Sequence, residues 1–157
     1  MESSPDLTLL FTALSAACDT EVRERMARAG HPDVRTVHGY VFQHLLVGPA
    51  RITDLADLLG MTAQGASKVV AEMERVGYAK RTTDPQDSRV RQVSLTEHGR
   101  DAVEAGRAAR AEVTRNLLAH LEDGGDALVG GLDLLAHRTG ALTALLARRL
   151  RPHPPVG

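Results

Sequence analysis

The sequence is poor in cysteine and in aromatic residues. It has one cysteine, no tryptophan, two tyrosines and two phenylalanines among 157 residues. A single cysteine excludes a framework of intramolecular disulfide bonds and fits a reducing compartment. No run of about 18 apolar residues occurs, so we expect no membrane span. The first residues lack a basic leader before a long apolar stretch, which predicts no secretory signal and a cytoplasmic protein.

Motifs of catalysis and of metal binding are missing as well. The sequence contains no glycine-rich phosphate loop, no HExxH and no CxxC. Its seven histidines form no pair at i, i+4 spacing, and Cys18 has no histidine near it in sequence. We therefore expect no enzymatic activity, no cofactor and no metal site.

Charge is distributed unevenly along the chain. The net charge is −1, which does not by itself indicate a nucleic-acid partner. Residues 61–91, however, hold six basic and four acidic side chains, so this segment carries +2. Phosphate binding requires a locally basic surface and not a basic protein. The segment is a candidate binding surface, with scattered solvated charges as the alternative.

The stretch from residue 52 to residue 99 alternates short helical patterns with short strands. Leu55, Leu58 and Leu59 are spaced for one buried face of a first short helix, which Thr53 is predicted to cap. Gly60 is expected to end that helix in the left-handed conformation. The predicted order is helix, tight turn, helix, strand, polar turn and strand. That order is typical of a winged helix-turn-helix, which places one helix in the DNA major groove.

The second short helix is the predicted recognition helix, with Thr62 as its cap. Its apolar residues recur at helical spacing and are expected to face inward: Ala66, Val69, Val70, Met73 and Val76. The outward side near the N-terminus then carries side chains that can bind adenine, guanine or phosphate. We predict DNA contacts from Thr62, Gln64, Ser67 and Lys68.

The wing carries the most specific pattern in the chain. Asp87-Ser88-Arg89, followed by Val93, Leu95, Thr96 and Gly99, resembles the D-x-R-x-x-x-V-x-L-T-x-x-G signature of the MarR family of bacterial transcription regulators. The upstream helix pair fits the same family through Leu58-Leu59 and the exit sequence MERVGY at residues 73–78. These motifs cover about a third of the chain.

The resemblance implies roles for residues of the wing. In the family the wing arginine enters the minor groove and a nearby aspartate orients it, so Arg89 is the expected minor-groove contact and Asp87 its brace. A narrow minor groove attracts arginine, and a carboxylate two residues away can hold a guanidinium. We place Arg91 among the DNA-binding residues as well. The alternative is that these are ordinary turn residues of a solvated hairpin.

The flanking segments are predicted to be helices. Apolar spacing indicates helices over about residues 7–27 and 34–46, a long helix from a Thr96 cap to about residue 121, and a last helix over about 126–150. The predicted fold class is mainly α with a small β-wing. We expect a single domain over residues 1–157, with a winged helix-turn-helix at about 34–100 and dimerisation helices at about 7–28 and 101–151.

The last predicted helix carries a heptad-like seam, formed by Leu128, Leu132, Leu135, Thr139, Leu142 and Leu146. Such a seam predicts a homodimer, and a two-fold dimer requires a pseudo-palindromic DNA operator. The alternative is that this helix packs only on its own chain. Gly130, Gly131 and Gly140 weaken a helix, so a kink or break is expected among them.

The predicted function is a DNA-binding regulator, a repressor responsive to a small-molecule effector, since in the MarR family a ligand binds between the dimer helices and the DNA-binding lobes. His38, Phe42 and His44 are candidate members of such a pocket. Other readings remain open: a winged-helix module that binds proteins without reading DNA, an accessory domain of an enzyme, or a regulator that senses metals through histidines or oxidants through Cys18. A solvated or helix-end position suits the histidines better, and a small buried apolar role suits Cys18.

Overall fold

The computed structural model describes residues 6–84, 87 and 89–147. Its elements follow in the order α1 (Leu7–Arg28), α2 (Thr36–Leu45), α3 (Ile52–Leu59), α4 (Ala63–Arg75), β1 (Ala79–Thr83), β2 (Arg91–Leu95), α5 (Glu97–Leu118), a 3₁₀ turn (Ala119–Leu121), α6 (Gly125–Arg138) and α7 (Ala141–Leu146). This is the mainly α fold with a small β-wing that the sequence predicts. Among these helices, none combines the length and hydrophobicity that a membrane span requires.

The helix-turn-helix forms because local signals at its turn agree. Gly60 ends α3 with φ of 64°, a conformation that glycine adopts without steric cost. Thr62 caps α4, since its hydroxyl accepts the Gly65 N–H at 3.1 Å. The predicted Thr53 cap is wrong: α3 begins at Ile52 after Arg51, so Thr53 already lies in the first helical turn.

Two leucines near helix ends are exposed, and one of them, Leu58, was expected to face inward. The buried face of α3 consists of Leu55, Ala56 and Leu59. Leu58 lies about 100° away from the centre of that face and is 42% exposed. Leu46 is exposed because α2 ends at Leu45, one residue before it.

The wing is an antiparallel pair that is tied to the start of the helix-turn-helix. Its register runs from Ala79 opposite Leu95 to Thr83 opposite Arg91. The side chain of Val93, in the middle of β2, is fully buried. The backbones of Val93 and Ala50 form two hydrogen bonds. The Ala50 N–H donates to the Val93 carbonyl at 3.0 Å, and the Val93 N–H donates to the Ala50 carbonyl at 2.8 Å. The base of the wing and the segment before α3 are therefore joined directly.

The core lies between the helix-turn-helix, the wing and α5. Its largest fully buried side chains include Tyr78, Leu55, Leu59 and Met73. The predicted Thr96 cap of α5 is confirmed, because the Thr96 hydroxyl accepts the Gly99 N–H at 3.0 Å. At Gly99 the helix passes so close to the Tyr78 carbonyl that a Cβ would overlap the carbonyl oxygen.

The terminal helices differ in how well they are packed. α1 packs along α5, and Arg25 of α1 joins them through an ion pair with Glu112 at 3.3 Å. Arg25 also pairs with Glu21 within α1 at 2.9 Å. α6 and α7, in contrast, contain no buried residue. The predicted last helix is broken at one of the three glycines expected to weaken it: it divides at Gly140, which has φ of 72°, whereas Gly130 and Gly131 lie within α6. The predicted seam is therefore shared between two helices, and residues 148–150 of the predicted helix lie outside the described residues.

Candidate nucleic-acid interface

The N-terminal half of α4 presents a polar surface opposite the core. Ala66, Val70 and Met73 are buried and fix the rotation of the helix. Thr62, Gln64 and Lys68 are then exposed, and Ser67 is half-buried at the edge of the same surface. The structure thus brings together on one helix four residues that were predicted from the sequence to contact DNA.

Arg81 connects the wing to this surface. Its backbone N–H donates to Glu74 Oε1 at 3.0 Å, and its Nε lies 3.5 Å from Glu74 Oε2. Its Nη2 donates to the Ser67 hydroxyl at 3.4 Å. Because Glu74 and Ser67 both belong to α4, the Arg81 side chain lies along the recognition helix while its backbone belongs to β1. The wing strand is thereby held beside the helix.

The tip of the wing carries the two arginines that were predicted to bind DNA. Arg89 and Arg91 are both exposed, and Arg91 begins β2 opposite Thr83. Asp87 Oδ1 accepts the backbone N–H of Arg89 at 3.0 Å. The Asp87 carbonyl also accepts the Val90 N–H at 2.9 Å. Asp87 therefore orders the backbone from which the Arg89 side chain extends.

The base of the wing has a second polar link. The Gln92 amide donates to Asp84 Oδ2 at 2.7 Å, and Arg51 Nη2 lies 4.0 Å from the same oxygen. Arg51 is the residue before α3, so this contact lies beside the Ala50–Val93 bridge. It holds the outgoing and returning strands near the start of the helix-turn-helix.

A charged cluster attaches α4 to α2 through Glu72. His38 is fully buried; its Nδ1 accepts the Arg35 N–H at 3.2 Å, and its Nε2 lies 3.8 Å from Glu72 Oε1. Arg35 Nη1 donates to Glu72 Oε2 at 2.6 Å. Burial lowers the pKa of His38, and the hydrogen bond from Arg35 lowers the pKa of Glu72. The cluster therefore contains a neutral imidazole beside a charged carboxylate.

Three further rings pack where α5 begins. His98 stacks on Tyr78 with ring centroids 4.9 Å apart, and His31 lies 4.7 Å from His98. Burial lowers the pKa of His31 and raises that of Tyr78. Within residues 6–84, 87 and 89–147, no three His, Cys, Asp or Glu side chains are arranged to hold a metal ion. These histidines act as packing groups in this arrangement.

A small cavity lies between α1, α2 and α5, with a volume of about 80 Å³. Phe42 lines it together with Val22, Met26 and Val103, and Arg110 lies at its polar side. His38 and His44, the other two pocket candidates, are not among its lining residues. Cys18 lies half-buried on α1, nearer its middle than either end.

Residues 33–90 match the family model described as the MarR family. This stretch runs from just before α2 to the wing turn and contains the polar surface of α4 together with Asp87 and Arg89. The stretch that holds α2, the helix-turn-helix and the wing turn is therefore similar to the MarR family. No protein of curated function matches this chain in sequence.

Solved structures share the fold over most of both chains. S. aureus MepR in a complex with DNA is 21% identical, with a TM-score of 0.68 over 84% of this chain and 98% of that one. YusO from Bacillus subtilis is 22% identical, with a TM-score of 0.68 over 87% and 94%. S. aureus MepR bound to ethidium bromide is 21% identical, with a TM-score of 0.61 over 86% and 97%. The fold shared with these structures therefore extends well beyond residues 33–90.

The sequence did not single out Arg81 or Arg35. Arg81 was counted only as one charge of the basic segment 61–91, and Arg35 lies outside that segment. The partners of both arginines are acidic residues of α4, which are 7 and 37 positions away along the chain. The acidic residues Glu72 and Glu74 of α4 were the signal in the sequence that could have indicated ion pairs between this helix and arginines elsewhere.

Proposed function

We propose that this chain is a DNA-binding transcription regulator, a ligand-responsive repressor that binds a pseudo-palindromic operator as a homodimer and acts in the cytoplasm. The observation that carries the proposal is the exposed polar surface of α4 beside a wing with an exposed arginine at its tip. A helix of this kind reads base edges in a major groove, and an arginine suits the adjacent minor groove. The MepR complex with DNA is a property of that protein, and it supports the same use of the shared fold here.

A second copy of the chain is the proposed cover for the terminal helices. The first half of α1 exposes Leu7, Leu9, Leu10, Phe11 and Leu14. α6 and α7 add Leu128, Val129, Leu132, Leu134, Leu135, Leu145 and Leu146. Leu7 and Phe11 of α1 lie beside Leu132 and Leu135 of α6. An exposed apolar patch of this kind is typical of a surface that another protein covers. Burial between two protomers would remove it from water and would place two recognition helices about one DNA turn apart.

Effector response is proposed for the cavity between α1, α2 and α5. Its volume of about 80 Å³ is below the roughly 300–1,000 Å³ of most ligand pockets, so a bound effector would require the helices to separate. Since α1 belongs to the proposed dimer region and α2 to the DNA-binding lobe, such a separation would alter the spacing of the lobes. A ligand shifts this balance only through its different affinity for the two arrangements. The binding of ethidium bromide is a property of S. aureus MepR.

The proposed function can be tested by selection. Purified protein would be mixed with random-sequence DNA duplexes, and bound duplexes would be amplified and sequenced over several rounds. We expect enrichment of one sequence with two related half-sites, whose centres lie about 10 base pairs or a multiple of that apart. Fluorescence anisotropy would then compare this duplex with a scrambled one of the same composition. Failure to enrich any sequence, with equal affinity for both duplexes, would contradict the proposal.

A further inference from the structure

We propose that Arg81 is an additional DNA-contacting residue, one that binds the phosphate strand between the groove that α4 enters and the groove that the wing enters. The inference rests on the proposed function and deepens it by assigning a phosphodiester ligand to a residue outside the α4 surface and the wing tip. Three features of Arg81 carry it: its position, its unused donors and its contact with Ser67.

Arg81 lies between the two parts of the protein that are proposed to enter neighbouring DNA grooves. Its backbone lies in the middle of β1, opposite Val93, while its guanidinium reaches Ser67 and Glu74 of α4. If α4 occupies a major groove and the wing tip the neighbouring minor groove, one phosphate strand must pass between helix and wing. The Arg81 side chain bridges that interval and is 36% exposed, so solvent and phosphate can reach it.

The guanidinium retains donors for a phosphate. Arginine has five N–H donors, and the contacts at this site engage Nε with Glu74 and Nη2 with Ser67. Glu74 lies on the Nε side and holds the guanidinium plane in place, while the Nη atoms remain suited to bidentate phosphate binding.

The contact with Ser67 also determines what that serine can recognise. A hydroxyl has one proton to donate, and the Ser67 oxygen already accepts a hydrogen bond from Arg81 Nη2. Its proton is left for an acceptor on the DNA, either a phosphate oxygen or a base acceptor such as guanine N7. Arg81 thus makes Ser67 a donor at the edge of the recognition surface.

The test compares variants on the duplex obtained by selection, across a salt series. Arg81→Gln should weaken binding about tenfold and should reduce the slope of log K against log salt by about one unit per subunit. Arg81→Lys retains the charge but not the forked geometry, so it should keep most of the slope and recover part of the affinity. Arg107→Gln is the matched control, because Arg107 is an exposed, ion-paired arginine on α5; it should change neither quantity.

A second measurement changes the DNA and leaves the protein intact. Single phosphates of the selected duplex would be replaced by neutral methylphosphonates. The wild-type protein should lose affinity when one or two phosphates between the grooves are replaced. Arg81→Gln, which already lacks the contact, should bind these duplexes as it binds the unmodified one. The assignment would be overturned if Arg81→Gln kept the affinity and the salt slope of the wild-type protein, or if its affinity fell with an unchanged slope. It would also be overturned if both proteins were equally sensitive to every methylphosphonate. If the wild-type protein binds no duplex even at low salt, the proposed function itself fails. If the wild-type protein binds and Arg81→Gln changes neither affinity nor salt dependence, only the assignment of Arg81 fails.

Discussion

At the scale of single residues, Arg89 and Asp87 have different expected roles in the wing turn. Asp87 fixes the Arg89 backbone through its carboxylate, and the Arg89 side chain extends into solvent. Arg89→Ala should lower operator affinity and flatten the salt dependence by up to about one unit per subunit. Asp87→Ala removes order but no positive charge, so binding should weaken while the slope stays near that of wild type. Operator affinity over a salt series measures both, and an Arg89→Ala protein with unchanged affinity and slope would reduce the wing to a structural hairpin.

Gly99 is a residue whose size is fixed by the backbone beside it. A Cβ at this position would overlap the Tyr78 carbonyl oxygen, which belongs to the backbone and cannot rotate away. Gly99→Ala should therefore destabilise the fold by about 1–3 kcal/mol, as overpacking does elsewhere. Gly39→Ala is the control, since Gly39 lies in α2 with no atom within 4 Å of the added carbon. Urea unfolding should show Gly39→Ala as neutral or stabilising by up to about 1 kcal/mol; equal effects would contradict the packing argument.

His38 and His31 make stability depend on pH in the mildly acidic range. Burial lowers the pKa of both side chains in the folded state, so below the ordinary value of about 6.5 the unfolded chain binds protons that the folded chain does not. Stability should be full above that pH and should fall as the pH drops through it. The groups facing His38 are Glu72, Arg35 and Asp33, of which Arg35 further lowers the pKa of His38 and the two acids raise it.

The measurement is the urea midpoint between about pH 7.5 and pH 5.5. This range stays above the ordinary glutamate value of 4.5, below which the Arg35–Glu72 pair is also lost. His38→Asn offers an oxygen to the Arg35 N–H without an ionisable ring, so it should lose less stability over the range than wild type. Exposed His120→Asn should behave like wild type. An identical pH dependence in all three proteins would show that His38 does not contribute.

At the scale of secondary-structure elements, α4 is the part whose role was clearest from the sequence. Gln64→Ala and Lys68→Ala should each cost about 1–3 kcal/mol of operator binding if the side chain reads a base. Both residues are exposed and opposite the buried face, so the fold should remain intact by circular dichroism. Arg115→Ala on α5 serves as an exposed control. Operator affinity that is unchanged in both α4 variants would remove this helix from the reading role.

Elements with strong local signals were predictable, and elements without them were not. Gly60, Thr62 and Thr96 act within a few residues of their own positions, so the turn and two caps could be predicted from neighbouring sequence. The start of α3 was missed because Arg51, which has no side-chain cap bond, precedes it. The break at Gly140 was expected only as one of three positions, since an isolated glycine can lie inside a helix, as Gly130 and Gly131 do.

The candidate site was predictable to the extent that it is local. The polar surface of α4 follows from helical spacing, and the roles of Asp87 and Arg89 follow from the resemblance of the wing motif. Arg81 with Ser67, and Arg35 with Glu72, depend on how the wing and α2 are docked against α4. That docking is decided by packing of the whole core, which no short stretch of sequence specifies.

At the scale of the whole molecule, the exposed apolar helices predict a dimer. Sedimentation at micromolar concentration should give about twice the chain mass of 16.8 kDa. Leu132→Glu places a charge on α6 within the exposed apolar surface and should shift the protein toward monomer. Leu58→Glu is the matched control, because Leu58 is an equally exposed leucine on α3, outside the terminal helices. A wild-type monomer at this concentration would contradict the proposed interface and the palindromic operator together.

The paired hydrogen bonds between Ala50 and Val93 have a mechanical consequence. They close the chain into a ring that contains α3, α4 and β1, so the segment before α3 and the base of the wing stay together while both bonds are intact. Under the proposed function, α4 and the base of the wing are then expected to approach and leave DNA together. The proposal therefore predicts that a lobe releases DNA in one step.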